Sequence, residues 1–182
     1  MLQIRKAEIP DAEAISQIHN LWTIDPASPS GDAASKGFLL GSTSPKEVAI
    51  QLQDAAQYTL VADIDRRVVG YLVAHQQCPE VDSVVWRISS WKPLLTDPRH
   101  FHINQVALDP TCLRRGVARQ LYQRLGEYND RGPLSCYVAS TPFDNQVSLA
   151  FHLSLGFSVA GDFSAGEFYG FKNYSSHLLI KP

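Results

Sequence analysis

Leu2-Gln3-Ile4-Arg5 opens the chain with apolar and polar residues in alternation, the period of a half-buried strand. From Ala12 the apolar positions recur at helical spacing, at Ile15, Ile18 and Leu21 or Trp22, after a Pro10-Asp11 start. Ser44-Pro45, a serine cap followed by proline, starts a second helix that runs to about Ala56. Residues 58–62 and 68–75 are β-branched and aromatic, and Asp63-Ile64-Asp65-Arg66-Arg67 between them predicts a hairpin. Residues 101–108 predict a strand ending at Asp109-Pro110. Residues 116–128 predict a helix with Val117, Leu121, Leu125 and Tyr128 on one face. A strand over 134–139 follows, then a helix capped by Asp144 or Asn145 and stopped by Gly156. Residues 157–163 and 174–181 close the chain as two strands. The order is β-α-α-β-β-β-α-β-α-β-β. The connections over 25–43 and 78–99 are long enough to mark functional insertions. The second carries Trp86, Trp91, Pro93 and Pro98 and is expected as an irregular excursion between strands.

Composition narrows the function classes. A chain of 182 residues, 45% hydrophobic and 19% charged, is expected to form one domain over 1–182. A net charge of -2 gives no global basic field, so nucleic acid is not expected as a partner and attraction for a phosphate must be local. Cys78, Cys112 and Cys136 are too widely spaced for a disulfide framework or a metal cluster, which fits a reducing cytoplasm. The N-terminus is charged at once and no window approaches the roughly 20 apolar residues of a membrane span, so a soluble protein without membrane attachment is expected.

The chemistry concentrates at Val106-Ala107-Leu108-Asp109-Pro110-Thr111-Cys112-Leu113-Arg114-Arg115-Gly116-Val117-Ala118-Arg119. A strand ends, proline turns the chain, and a basic segment leads into a helix. The first helical turn offers backbone N–H groups without intrahelical acceptors, and the helix dipole places partial positive charge there. Gly116 and Ala118 are small enough for an anion to approach the backbone, and Arg114, Arg115 and Arg119 add attraction for phosphate. An ordinary helix start with solvated arginines fits the same segment. The ending of a Walker A loop is missing, and one glycine stands where a dinucleotide fingerprint has three.

The later stretch from Asn145 through Ser148, Phe151 and His152 to Leu155-Gly156-Phe157 adds to this turn. Together the two resemble the GNAT acetyltransferase superfamily. Its pyrophosphate signature, Gln/Arg-x-x-Gly-x-Gly/Ala, corresponds to Leu113-Arg114-Arg115-Gly116-Val117-Ala118, and its later asparagine, aromatic and Leu-Gly-Phe positions to Asn145, His152 and Leu155–Phe157. The resemblance covers roughly residues 100–160 and departs at two places. Leu113 stands at the Gln/Arg position, and His152 stands where many relatives have a tyrosine that protonates the departing CoA thiolate.

The resemblance implies an α/β (α+β) domain with a mixed, mostly antiparallel sheet of about seven strands and about four helices, splayed between the fourth and fifth strands. It also implies acetyl-CoA as cofactor. The pantetheine arm would pair with the backbone of the 101–108 strand near Val106 and Leu108. An amide at Val106 or Ala107 would polarise the thioester, and Asn145 would contact the cofactor. Residues 113–119, Ser148, Phe151 and His152 complete the implied cofactor site. The amine acceptor, a small molecule or a peptide, would attack directly. His152 is either the general acid, as its ordinary pKa near 6.5 allows, or a packed helix residue. His102 is either a base acting through water or a partly exposed strand histidine. Asn104 and Gln105 stand where relatives often have a carboxylate.

Trp22, Trp86, Trp91 and Tyr169 are candidate acceptor walls, or parts of local cores. No metal site is expected, since His100-x-His102 has no further ligands at suitable spacing. A homodimer is left open. The alternative is a non-catalytic acyl-CoA sensor on the same fold.

Overall fold

Leu60 and Ala62 point to one face of their strand and Val61 to the other, and all three are fully buried. Helices must therefore cover both faces of the sheet. The computed structural model describes residues 1–26 and 36–182. Its elements are β1 (Leu2–Lys6), α1 (Ala12–Asn20), β2 (Thr23–Ile24), β3 (Leu39–Leu40), α2 (Pro45–Gln51), β4 (Gln57–Ile64), β5 (Arg67–His75), β6 (Val85–Trp86), β7 (Phe101–Leu108), α3 (Val117–Tyr128), β8 (Leu134–Thr141), α4 (Gln146–Ser154), β9 (Ser158–Phe168) and β10 (Phe171–Lys181). Much of the loop expected over 25–43 lies outside the described residues. Of those, no helix is long and apolar enough to cross a membrane.

The main sheet runs β1-β4-β5-β7-β8-β10-β9-β6, and β2 and β3 form a separate parallel pair. All neighbours in the main sheet are antiparallel except β7 and β8. On one face, Leu60, Ala62, Leu72 and Ala74 pack with Val117, Leu121 and Leu125 of α3. On the other, Val61, Tyr71, Val73 and Ala107 pack with Ile15 and Ile18 of α1 and Val48 of α2.

Local signals explain the helix ends. Ser44 accepts from the Glu47 amide while the Glu47 carboxylate accepts from the Ser44 amide, with Pro45 in the first turn. α4 stops at Gly156, whose φ of +90° suits glycine. There Phe157 N–H bonds to the His152 carbonyl at 3.2 Å and Gly156 N–H to the Leu153 carbonyl at 3.0 Å. This reciprocal pair satisfies carbonyls that the helix end would otherwise orphan.

Three features differ from expectation. The main sheet has eight strands rather than seven, because β6 pairs Val85 and Trp86 with Asp162 and Gly161 of β9. A two-residue strand carries no readable period. α2 ends at Gln51, with turns over the rest of the expected helix. β9 and β10 run longer than predicted and meet at Tyr169-Gly170, both at positive φ (50° and 80°), the backbone of a tight hairpin.

Candidate functional site

β7 and β8 pair at Phe101↔Leu134, His102↔Ser135 and Ile103↔Cys136, and then part. The gap opens a cleft of about 1200 Å³ lined by the rest of both strands, the start of α3, and α4. Against β5 the register skips Asn104, a bulge that bends β7 where the cleft begins. Asp109 N–H donates to the Val69 carbonyl at 2.8 Å, so by the alternation of strand backbone Ala107 also faces β5. Val106 and Leu108 therefore turn their N–H and C=O groups to the cleft. The Trp22 indole N–H already donates to the Leu108 carbonyl at 2.7 Å. The open edge narrows to the Val106 backbone and the Leu108 amide, and of the two amides expected to polarise a thioester, only Val106 points the right way.

At the next turn the Asp109 carboxylate, bound by Arg67, accepts from the Thr111 amide and fixes the chain reversal. Arg114 and Gly116 then take positive φ, 59° and 77°. The first α3 hydrogen bond runs from Gln120 N–H to the Gly116 carbonyl at 3.1 Å. Among the described residues the Val117, Ala118 and Arg119 amides have no backbone acceptor. A Cβ built at Gly116 would meet nothing within 4 Å. Free amides, a dipole end and open space meet where Arg114 and Arg119 line the cleft, and such a cradle fits a diphosphate.

Deeper in the cleft stands a pair that pattern reading missed. The Tyr122 hydroxyl lies 2.6 Å from His152 Nε2, and His152 Nδ1 lies 2.7 Å from the Ser148 carbonyl. A carbonyl only accepts, so Nδ1 carries the proton and Nε2 accepts from Tyr122. Phe151 and Phe157 box the two rings edge to face. Burial holds the His152 ring below its ordinary pKa, against the Ser148 hydrogen bond, and burial raises that of Tyr122. The neutral His152 has no Nε2 proton to give, and the O–H at this spot belongs to Tyr122. Its sequence signal was its position four residues after Ala118, on the helix face of the phosphate turn.

A sequence profile of the acetyltransferase (GNAT) family matches residues 18–157. The chain belongs to the GNAT acetyltransferase family. No curated protein sequence matches it. Three solved structures share the GNAT fold at low identity. An N-acetyltransferase from Staphylococcus aureus Mu50 has 17% identity and a TM-score of 0.67, covering 100% of this chain and 98% of the other. The ribosomal-protein-S18-alanine N-acetyltransferase of Escherichia coli has 17% identity and a TM-score of 0.62, over 100% and 94%. The Salmonella typhimurium protein yncA, solved with its cofactor acetyl-CoA, has 16% identity and a TM-score of 0.65, over 100% and 93%.

The remaining expected GNAT site residues divide into those at the cleft and those away from it. Leu113, Val117, Ala118, Ser148 and Phe151 line it, and Arg115 lies exposed on the turn outside it. Asn145 also lines it, but both of its polar atoms are engaged: Oδ1 accepts from the Ser148 amide and Nδ2 donates to the Phe38 carbonyl at 3.0 Å. It ties the start of α4 to the residue just before β3. His102 is buried at the point where the strands part, rather than partly exposed, and its Nδ1 lies 2.9 Å from Ser135 Oγ. Burial, then the neighbouring His100 and His75, push its pKa down to about 3.

Trp22 and Tyr169 stand at the cleft, and Trp86 and Trp91 do not. These two pack with Val84, Leu95, Ala160, Leu178 and Ile180, because the excursion folds over β9 and β10 rather than over the opening. Only Pro79 and Glu80 of that excursion reach the cleft. A ring built by Phe163, Phe168, Tyr169 and Tyr174, none of them an early candidate except Tyr169, lines its far end. Tyr169 is packed on Gly41, where any Cβ would come within 2.7 Å of its ring. Beyond this contact lies a smaller polar pocket of about 150 Å³ that shares Leu40, Gln105 and Tyr169 with the cleft.

Proposed function

We propose that this protein transfers an acetyl group from acetyl-CoA directly to an amine. The observation that carries the reading is the unpaired edge of β7 at Val106, continuous with the free amides of Val117, Ala118 and Arg119. Residues 114–119 hold the diphosphate, and the β7 edge pairs with the pantetheine arm. Bound there, acetyl-CoA supplies an activated acetyl thioester. The Val106 amide polarises its carbonyl oxygen. The Tyr122 hydroxyl, positioned by His152, turns its proton from His152 Nε2 to the sulfur that departs.

The acceptor is an amine carrying an apolar or aromatic group. Phe163, Phe168, Tyr169 and Tyr174 offer ring surface at the acceptor end. Among the described lining residues Glu80 is the one carboxylate. Burying one large apolar group gains about 1.5–3 kcal/mol, whereas an exposed ion pair gains about 0–1 kcal/mol. The wall therefore favours a singly charged, apolar amine over a polyamine.

A thiol-release assay with acetyl-CoA over a panel of arylalkylamines, peptide N-termini and polyamines tests this. Turnover with the apolar amines is expected. CoA binding without thiol release from any amine would instead support a sensor.

A further inference from the structure

We infer that the acceptor is a branched amine. Beside the apolar arm on the aromatic wall it carries a short, neutral hydrogen-bonding arm, a carboxamide or a hydroxymethyl group, which enters the polar pocket beyond Tyr169 and is recognised there by Gln105 and Gln51. The inference rests on the acetylation reading above and adds a second subsite to it.

The pocket lies on the face of the sheet that α1 and α2 cover. His19 of α1, Glu47 and Gln51 of α2, Thr59 of β4 and Gln105 of β7 line it. By strand alternation Gln105 shares the side of Ala107, which packs with Ile15 and Ile18 of α1. The volume, about 150 Å³, is well below the roughly 300–1,000 Å³ of a pocket that encloses a whole ligand. It therefore suits one arm of a molecule seated in the cleft, which it borders at Leu40, Gln105 and Tyr169. Gln105 directly precedes Val106, whose amide takes the thioester oxygen, so the arm must branch close to the attacking nitrogen.

Hydrogen-bond chemistry leaves the Gln105 amide free. The Gly41 carbonyl only accepts, so His19 Nε2, 2.7 Å away, donates to it. In that tautomer His19 Nδ1 accepts, and the Tyr71 hydroxyl donates to it at 2.8 Å. A phenol has one proton, so Tyr71 has none for Gln105 Oε1, which lies 3.4 Å from it. Among the described residues the Gln105 amide nitrogen and the Gln51 side chain have no hydrogen-bond partner in the protein. Two free amides offer both donors and acceptors, which a carboxamide or a hydroxyl answers and a hydrocarbon does not. Charge selects against an acid. Glu47 is the one carboxylate among the described lining residues, and no lysine or arginine joins it there. Its Oε2 accepts from the Ser44 amide and hydroxyl, which hold its pKa below the ordinary range and keep it ionised at neutrality. Glu47 is exposed, so its repulsion of a carboxylate arm is worth a few-fold, and the hydrogen bonds carry the larger preference.

Four amines that differ only at the branch test this on the full chain: 2-phenylethylamine, phenylalaninol, phenylalaninamide and phenylalanine. Calorimetry in the presence of CoA gives their Kd values, and thiol release from acetyl-CoA gives their turnover. Phenylalaninol and phenylalaninamide should bind about 3- to 10-fold tighter than 2-phenylethylamine, the worth of one hydrogen bond. Phenylalanine should bind about two- to fivefold more weakly than phenylalaninamide. In Gln105→Leu and Gln51→Leu the advantage of the two neutral arms should fall toward one, and Gln51, exposed at the end of α2, keeps the test available should Gln105→Leu fail to fold. Glu47→Gln preserves the capping box and should narrow the gap between phenylalanine and phenylalaninamide. Equal Kd values with and without the neutral arm, an advantage that survives both glutamine substitutions, or no binding by any of the four would overturn the subsite. The expected order of Kd values without thiol release from any amine would keep the subsite and sink the acetylation reading instead.

Discussion

The Tyr122 hydroxyl donates to His152 Nε2 at 2.6 Å, joining the helix that opens at the phosphate turn to the helix that ends in Leu155-Gly156-Phe157. The two family signatures thus meet in one hydrogen bond. If Tyr122 is the proton source for the departing thiolate, Tyr122→Phe should lower kcat by about 10- to 100-fold. His152→Ala should slow turnover by releasing that hydroxyl, with CoA affinity near normal. Thiol-release kinetics with calorimetric CoA titration separate the two effects, and unchanged turnover in Tyr122→Phe would remove it from the chemistry.

The acceptor wall predicts a split between kinetic constants. Tyr169 is 60% exposed at the β9–β10 tip, with its ring against Gly41. Tyr169→Ala should raise KM for an apolar amine by about tenfold, the loss of part of a ring's burial. The Kd for acetyl-CoA should not move. Initial-rate measurements over both substrates check this, and a changed CoA affinity would place Tyr169 elsewhere in the account.

Most of the sheet and the strand–turn–helix around Gly116 were legible in the sequence because both depend on local rules. The β-branched and aromatic residues at 58–62 and 68–75, with the polar segment between them, predicted a hairpin that the β4–β5 register realises, and Gly116, expected as a small residue at the turn, sits at a φ of 77°. The Tyr122–His152 pair was not legible in the same way. His152 stood out by position, but which of its nitrogens carries the proton depends on Ser148 and Tyr122. Tyr122 is adjacent in space only after α3 and α4 have packed. Trp86 and Trp91 misled because an aromatic residue in a long loop carries no sign of which sheet face the loop will cover. The His102–Ser135 contact needs the parallel β7–β8 pairing, which no local pattern encodes.

Stability should fall in acid through Asp11. Burial raises the pKa of this carboxylate, and two Arg5 hydrogen bonds of 2.7 and 2.8 Å, the Glu8 amide and Arg5 charge outweigh it, for a net lowering. A lowered folded-state pKa contributes stability that is fully present above the unfolded value, about 3.9, and is lost as pH falls through the folded value. Asp11→Asn should therefore reduce Tm at pH 7 and flatten its decline below about pH 4. Thermal melts across pH 2.5–7 provide the check, and parallel curves for the two proteins would show that the pair contributes nothing.

The central claim, that the amides at the start of α3 hold the CoA diphosphate, is tested most directly by acetyl-CoA titration of the wild type, Gly116→Ala and Gly116→Glu, in parallel with thermal shifts. Gly116 has a φ of 77° and open space at its Cβ, so alanine pays only backbone strain while glutamate adds bulk and negative charge against the phosphates. Wild type at 100 times Kd should gain about 2.7 kcal/mol of stability, Gly116→Ala should still bind, and Gly116→Glu should not. No stabilisation of the wild type by acetyl-CoA or CoA, or equal affinity in Gly116→Glu, would contradict the account.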